Sequence, residues 1–367
     1  MDYKKLLDNL IKTIIEEGGS DIHLTVGYSP AIRVHGDLFF LKKIDPLTEE
    51  NVLGLVSELL NVEYREKFLE EKEIDFSYGS NDARFRGNCF FSKGTVGVSL
   101  RLISKKIKTL SELNLPPILE TFTRKEQGFF LVVGPVGNGK TTTLAAMIDL
   151  INQEDPKHIM TVEDPIEFLH KDKKSIVNQR EVHIDTSSYS IALHHAMRQD
   201  PDVILIGEMR DIESFHIALG ASETGHTVFT TLHSTDTSGV FSRILDFFPP
   251  SQHHQIRMQL SLNLKAVICQ RLIPRMDQDG VTPAVEILIN TPTVSRLIRE
   301  NRLNKIISAI QGGLEDGMQT FNMSLVELCK EGFISREQAM ANATNPEELK
   351  MNLQGIFLDE SKQILGD

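Results

Sequence analysis

Tryptophan is absent from the 367 residues, cysteine occurs three times, and aromatic residues make up only 7%. Cys89, Cys269 and Cys329 stand far apart with no CxxC pair. That spacing supports neither a zinc clip nor a disulfide framework, and it suits a reducing compartment. Long apolar runs are missing too: stretches such as 129–133 fall well short of the roughly 20 residues that a membrane-spanning helix requires. The first residues, MDYKKLLDNLIKTIIEEGG, set acidic side chains inside their apolar pattern and so lack the core of a secretory signal. Low-complexity tracts are lacking, and 40% hydrophobic with 25% charged residues is the composition of a folded globular chain. Positive charge is in deficit, with a formal net charge of -12. This balance opposes phosphate-backbone binding, so no nucleic-acid partner is expected. The short basic clusters Lys105, Lys106 and Lys108, and Lys171, Lys173 and Lys174, read as solvated loops.

What is present divides into two patterns. Single cores stop growing at about 250 residues, so 367 residues predict two domains. Leu6, Leu7, Leu10, Ile11, Ile14 and Ile15 recur at helical spacing before Gly18 and Gly19, which predicts a helix over 3–17. Strands are expected at 20–26, 31–41, 74–78, 83–91 and 96–103, broken by turns such as Gly36-Asp37 and Gly79-Ser80-Asn81-Asp82. One helix, about 48–60 and capped by Thr48, interrupts them. Residues 1–105 thus read as an α+β domain, and 106–125, with Pro116-Pro117, as a linker. From 126 to 367 apolar runs alternate with helices, at 129–133, 159–162, 203–206 and 227–232. Such runs suit buried parallel strands and predict a doubly wound α/β domain. Beyond Pro249-Pro250 the chain is expected to be mostly helical to its end.

Gly134, Pro135, Val136, Gly137, Asn138, Gly139, Lys140 and Thr141 match GxxxxGK[ST] in full, between a β-like run and the helix-like segment TTTLAAMIDLIN that opens on Thr141 and Thr142. Glycines let the backbone curl around phosphates, and the helix that follows adds its positive end. In that pattern Lys140 holds the β and γ phosphates of ATP, and the Thr141 hydroxyl serves Mg²⁺. Two apolar strands then end in acids. Residues 202–208 run DVILIGE to Glu208, and IMTV runs to Glu163-Asp164 before Pro165. Carboxylates at strand tips beside a phosphate loop can reach the cation or the attacking water.

Taken together, GPVGNGKTTT, TVEDPIEFLH, DPDVILIGEMRD and ASETGHTVFTTLHS resemble, in order, the Walker A loop, Asp box, Walker B and His box of the secretion ATPases. GGSDIHL and RFRGNCFF also look like elements of that family, so the resemblance spans almost the whole chain. It implies a PAS-like first domain and a RecA-like ATPase domain. It further implies that Glu208 activates the hydrolytic water, Glu163 assists around Mg²⁺ with Thr141, and His226 and His233 sense the γ-phosphate. Arg84, Arg86 and Arg101, on alternating strands of the first domain, are candidates for neutralising charge on the transferring phosphoryl group.

Within the family, TPTVSRLIRENRLNKI partly matches a motif of the type IV pilus retraction branch, with agreement at Leu297, Ile298, Arg299 and Glu300. GMQTFNMSL and ATNPEELKMNLQGI point to the same branch, and the tetracysteine element usual in assembly ATPases is missing. The resemblance implies a homo-hexamer at the cytoplasmic face of the membrane, acting on a membrane-embedded pilus platform. The partial motif leaves room for an accessory retraction paralogue or another secretion-ATPase ring, and the shared phosphate loop leaves a nucleic-acid translocase, which would need a concealed basic channel, as a further alternative.

Overall fold

The computed structural model describes residues 2–80, 83–103 and 106–355, so Asn81, Asp82, Lys105 and Ile356 of the motifs above lie outside the described residues. The chain divides into two compact units, Met1–Lys106 with Glu167–Leu169, and Ile107–Ile166 with His170–Asp367.

Unit 1 runs α1 (Tyr3–Glu16), β1 (Asp21–Thr25), β2 (Ala31–Val34), β3 (Asp37–Phe40), α2 (Glu49–Leu59), α3 (Val62–Glu71), β4 (Glu73–Gly79), β5 (Arg84–Ser92) and β6 (Thr95–Ile103). Its strands form an antiparallel sheet in the order β3-β2-β1-β6-β5-β4. One face is buried: Ile22, Leu24, Phe85, Cys89, Val98 and Leu100 join Leu7, Leu10, Ile14, Val52 and Leu55 from α1 and α2 in one core. Each such side chain contributes about 1.5–3 kcal/mol when fully buried. Thr48 and Asn51 close a capping box on α2, satisfying two backbone N–H groups that the helix leaves open. Helix α3 is not foreseen by the apolar pattern because it buries only Phe68, and its start is set instead by the Asn61 cap.

Unit 2 runs α4 (Ile118–Thr123), β7 (Gly128–Val133), α5 (Lys140–Glu154), β8 (His158–Glu163), β9 (Ile176–Glu181), α6 (Tyr189–Ala196), β10 (Val203–Ile206), α7 (Ile212–Glu223), β11 (Thr227–Leu232), α8 (Thr237–Leu245), α9 (His253–Asn263), β12 (Leu264–Pro274), β13 (Val281–Ile289), α10 (Pro292–Arg299), α11 (Ile306–Gly312), α12 (Phe321–Lys330), α13 (Arg336–Asn342) and α14 (Pro346–Leu353). The sheet order is β13-β12-β7-β11-β10-β8-β9, parallel except for β13. Both faces are covered. Phe129, Leu131 and Val133 of β7 enter one core, and Phe130 and Val132 enter the other.

Two expectations change here. The chain beyond Pro249-Pro250 is not mostly helical at first, since β12 and β13 extend the sheet before the helices begin. Part of the expected linker packs as core, because Leu110, Leu115, Leu119 and Phe122 are buried with β7 and α5. The cluster Lys171, Lys173 and Lys174 lies on an exposed loop, as expected, where Lys173 reaches Asp149 at 2.7 Å and Lys174 donates to the Glu154 carbonyl at 3.0 Å. In α10, Leu297 and Ile298 are buried while Arg299 is exposed, as the helical spacing requires.

Candidate functional site

The strands of unit 2 are buried on both faces, so their polar chemistry gathers where the strands end. β7 delivers the chain into 134–139, where Gly134, Gly137 and Gly139 have φ of +156°, +79° and +74°. Close approach adds a second reason for glycine at two of them. A Cβ on Gly134 would sit 2.5 Å from the Gln270 carbonyl oxygen, and one on Gly139 would sit 2.9 Å from Gln270 Nε2. Strand β12 thus forms the floor of the loop. Its Leu272 N–H donates to Asn138 Oδ1 at 2.7 Å, and Gln270 Oε1 accepts from Thr143 Oγ1 at 2.8 Å. Pro135 and Val136 form the exposed rim. Helix α5 starts at Lys140 with neither a side-chain cap nor an acidic residue in its first turn, which leaves backbone N–H groups of that turn for an anion. Thr141 and Thr142 occupy this turn, half-buried.

Lys140 Nζ donates to the carbonyls of Gly134 at 2.9 Å and Pro135 at 3.0 Å, and lies 3.4 Å from His233 Nδ1. An ammonium group only donates, so Nδ1 accepts and His233 carries its proton on Nε2. That nitrogen faces Glu208 Oε1 at 3.2 Å. The other Glu208 oxygen accepts from Arg210 Nε at 3.0 Å, and Arg210 also reaches Asp164 Oδ2 at 2.8 Å. Burial would lower the Arg210 pKa, but the bond to and charge of Glu208, with Tyr189 and Asp164, together outweigh it and hold the guanidinium above its usual range. One polar chain therefore runs from the phosphate loop through β11 and β10 to the end of β8. Glu163, 5% exposed, is held by Thr161 Oγ1 at 2.6 Å and Gln179 Nε2 at 3.2 Å.

The structure brings together Lys140, His233 and Glu208, and sets Glu163 at the neighbouring strand end, but it does not bring His226 to them. His226 precedes β11, while His233 follows it, which separates the pair by roughly 20 Å of strand. At the far edge His226 Nδ1 bonds the Ala221 carbonyl at 3.0 Å. Its expected place beside the phosphates is corrected on that ground. Arg84, Arg86 and Arg101 lie in unit 1, on the sheet face opposite its core, with Arg86 directly across from Arg101. Arg101 pairs with Asp21 at 2.8 Å. Burial pushes the Asp21 carboxyl up, but bonds from Ser20 and Arg101 more than offset it and hold it below the usual range.

Sequence reasoning missed Arg210, Gln270, Gln179 and Thr161. Arg210 follows Glu208 by two residues and was legible as a charge at a strand end. Gln270 signals itself only as an amide inside the apolar run AVICQRLI. Oxygen donors dominate the site, which suits Mg²⁺ rather than zinc. Among the described residues no group of three or more His, Cys, Asp or Glu could hold a metal, so a cation here would draw on nucleotide oxygens and water beside Thr141 and the glutamates at the strand ends.

Residues 2–341 match the family described as Type II/IV secretion system protein. The Type IV pilus retractation ATPase PilT of Pseudomonas aeruginosa is 44% identical over 342 residues, covering 93% of this chain and 99% of that protein. The Type IV pilus ATPase PilU of the same organism is 39% identical over 352 residues, covering 96% of this chain and 91% of that protein. A crystal structure of the pilus retraction motor PilT with bound ADP aligns with a TM-score of 0.86 at 45% identity, covering 93% of this chain and 98% of that one. With a matched glycine loop, acidic strand ends and fold, the chain belongs to the Type II/IV secretion system protein family.

Proposed function

We propose that this chain is an ATP-hydrolysing motor that powers type IV pilus retraction as a homo-hexameric ring. The observation that carries the chemistry is the contact chain Lys140–His233–Glu208–Arg210–Asp164 along the strand ends beside the glycine loop. The branch rests on likeness to the retractation ATPase at 44% identity, above the 39% to the second pilus ATPase. An accessory paralogue of the retraction motor is the second reading.

The glycine loop and the first turn of α5 take the phosphates through backbone N–H groups, and Lys140 exchanges its two loop carbonyls for β and γ oxygens. Thr141, with Glu163 and Glu208 directly or through water, would hold Mg²⁺, which would supply positive charge to the phosphate oxygens. Glu208 then needs a free oxygen. When His233 turns its Nε2–H from Glu208 to the γ-phosphate, Oε1 becomes available to orient the attacking water and accept its proton. The water oxygen bonds to the γ-phosphorus, the bond to the β–γ bridging oxygen breaks, and ADP and phosphate leave. Arg210 keeps the second Glu208 oxygen fixed during this exchange. Arg84, Arg86 and Arg101 are proposed as nucleotide contacts from unit 1.

Among the described residues no helix is long and apolar enough to cross a membrane. Likeness to the retractation ATPase supports the proposal that the ring works from the cytoplasmic face on a membrane-embedded platform protein. Deleting the gene and imaging pili tests the direction of work: excess pili with lost twitching is expected, and loss of pili would overturn retraction. Phosphate release by the purified chain tests the chemistry separately.

A further inference from the structure

Strand β12 has two sides with different clients. Gln270 and the Leu272 N–H brace the glycine loop, whereas Arg271 and, one residue past the strand, Arg275 stack on Phe321 at the start of α12 and on Phe333, three residues past its end. The Arg271 guanidinium lies 4.1 Å from the Phe321 ring centroid, and that of Arg275 lies 4.4 Å from the Phe333 centroid. Arg271 does more than stack. Its two terminal nitrogens donate to the Asn342 carbonyl at the end of α13 and to the Thr235 carbonyl, each at 3.0 Å. Thr235 is two residues beyond His233, so one planar fork joins the histidine segment to the C-terminal helices.

Glu286, on the neighbouring strand β13 and 1% exposed, repeats the connection from the same sheet face. One oxygen accepts from Thr237 N at 3.0 Å and from Thr237 Oγ1 at 2.8 Å, at the first residue of α8. Burial pushes the Glu286 carboxyl above its ordinary range, and the Thr237 bonds and the Phe321 backbone N–H, at the first residue of α12, oppose that rise. The segment from His233 to α8 is thereby gripped twice, by Arg271 at Thr235 and by Glu286 at Thr237, and the Arg271 guanidinium also stacks on Phe321. A buried charge bound this way tolerates little displacement, since a shift would leave it unpaired.

We propose that Arg271 and Glu286 are positioning residues that set the His233 segment from the C-terminal side, so that the γ-phosphate contact at His233 and the docking of α12 and α13 are made or lost together. This rests on the ATP site proposed above. Ring closure around nucleotide thus reaches the C-terminal helices through one strand pair, with no rearrangement of the glycine loop.

The test compares the full-length chain with Arg271→Ala, and with Phe321→Leu as a milder variant that keeps apolar volume but removes the aromatic face. Turnover is measured against ATP concentration. Amide exchange is measured with and without the non-hydrolysable imido analogue of ATP. In the unaltered chain the analogue should slow exchange in the first turn of α5 and in α12 and α13. In Arg271→Ala the α5 protection should persist, the α12 and α13 protection should vanish, and kcat should fall about tenfold with KM changed less than about twofold. Phe321→Leu should lie between, and Arg271→Lys, which keeps charge without the fork, should not restore kcat. Retained α12 and α13 protection with unaltered kcat in Arg271→Ala overturns the proposal. So does a fall in kcat that follows only the unfolded fraction. Absence of α5 protection in the unaltered chain would instead sink the ATP site itself.

Discussion

The two sheets of this molecule put their charged residues in different places, and the difference follows from what covers them. Unit 1 leaves one sheet face without a core, and a row of cross-strand partners occupies it: Arg33, Asp21, Arg101 and Arg86 stand side by side on β2, β1, β6 and β5. Unit 2 is covered on both faces, so charge is confined to strand ends and to residues such as Glu286 that bind helix termini. An open face can carry a charged row, and where one member is buried in it, as Asp21 is, bonds from Ser20 and Arg101 offset the desolvation. A closed sheet concentrates polar groups at one edge, where low dielectric and oriented backbone N–H groups strengthen each contact. The comparison predicts that single substitutions at the edge of unit 2 damage turnover far more than those elsewhere.

The largest effect is expected at Lys140. Replacing it with alanine removes the cation that bonds Gly134 and Pro135 and should lower phosphate release by roughly 10³-fold or more, with circular dichroism unchanged. Near-normal turnover would remove the edge of unit 2 from catalysis. Next comes Glu208→Gln, which keeps shape but loses basicity and one of the two acceptor oxygens that face His233 and Arg210. It should retain ATP binding while slowing hydrolysis by about 10²- to 10⁴-fold in single-turnover assays. Loss of binding with residual turnover intact would make Glu208 structural.

A sharper contrast uses the two ends of one strand. His233→Ala breaks the contacts to Lys140 and Glu208 and should cost about tenfold in turnover, whereas His226→Ala, at the far edge, should stay within about twofold in the isolated subunit assay. Equal losses would mean that β11 transmits catalytic geometry along its length rather than from one end.

These positions also show what the sequence made legible. The glycine loop, the strand before it and both glutamates were readable because each combines a fixed spacing with an apolar run that ends in a functional group. His226 looked equivalent to His233 because a motif has no direction, and only the strand between them separates their environments. Strand β12 was hidden by Lys265, Gln270 and Arg271, which interrupt its apolar run. In β13, Pro283 argues against a strand, yet an edge strand tolerates it because one side of its backbone has no ladder to complete. Gln270 and Arg271 draw their importance from what lies opposite, the glycine loop on one side and α12 on the other. No spacing along the chain encodes that.

The smallest effect concerns stability and separates the sheets by how they treat titratable groups. On the open face of unit 1, bonds from Ser20 and Arg101 prevail over burial and keep Asp21 charged. In unit 2 burial prevails at His170, whose pKa is pushed down to about 4, with Asp149 raising it and Lys173 lowering it to a smaller extent. Its neutral form is favoured by the fold, whereas the unfolded chain takes up a proton near the ordinary value of 6.5. The unfolded state therefore binds more protons between these values, and stability falls as pH drops from about 6.5 toward 4. Above that window the contribution is fully present. By pH 5 the loss should be on the order of 2 kcal/mol. His170→Asn cannot take up the proton and should flatten this part of the acid limb, whatever it does to stability at pH 7.5. Urea unfolding at pH 7.5 and pH 5, followed by amide exchange in α5 and β9, reads the difference within unit 2. Parallel acid limbs in the variant and the unaltered chain would show that His170 is charged in the fold, and that desolvation does not prevail in the closed sheet at this position.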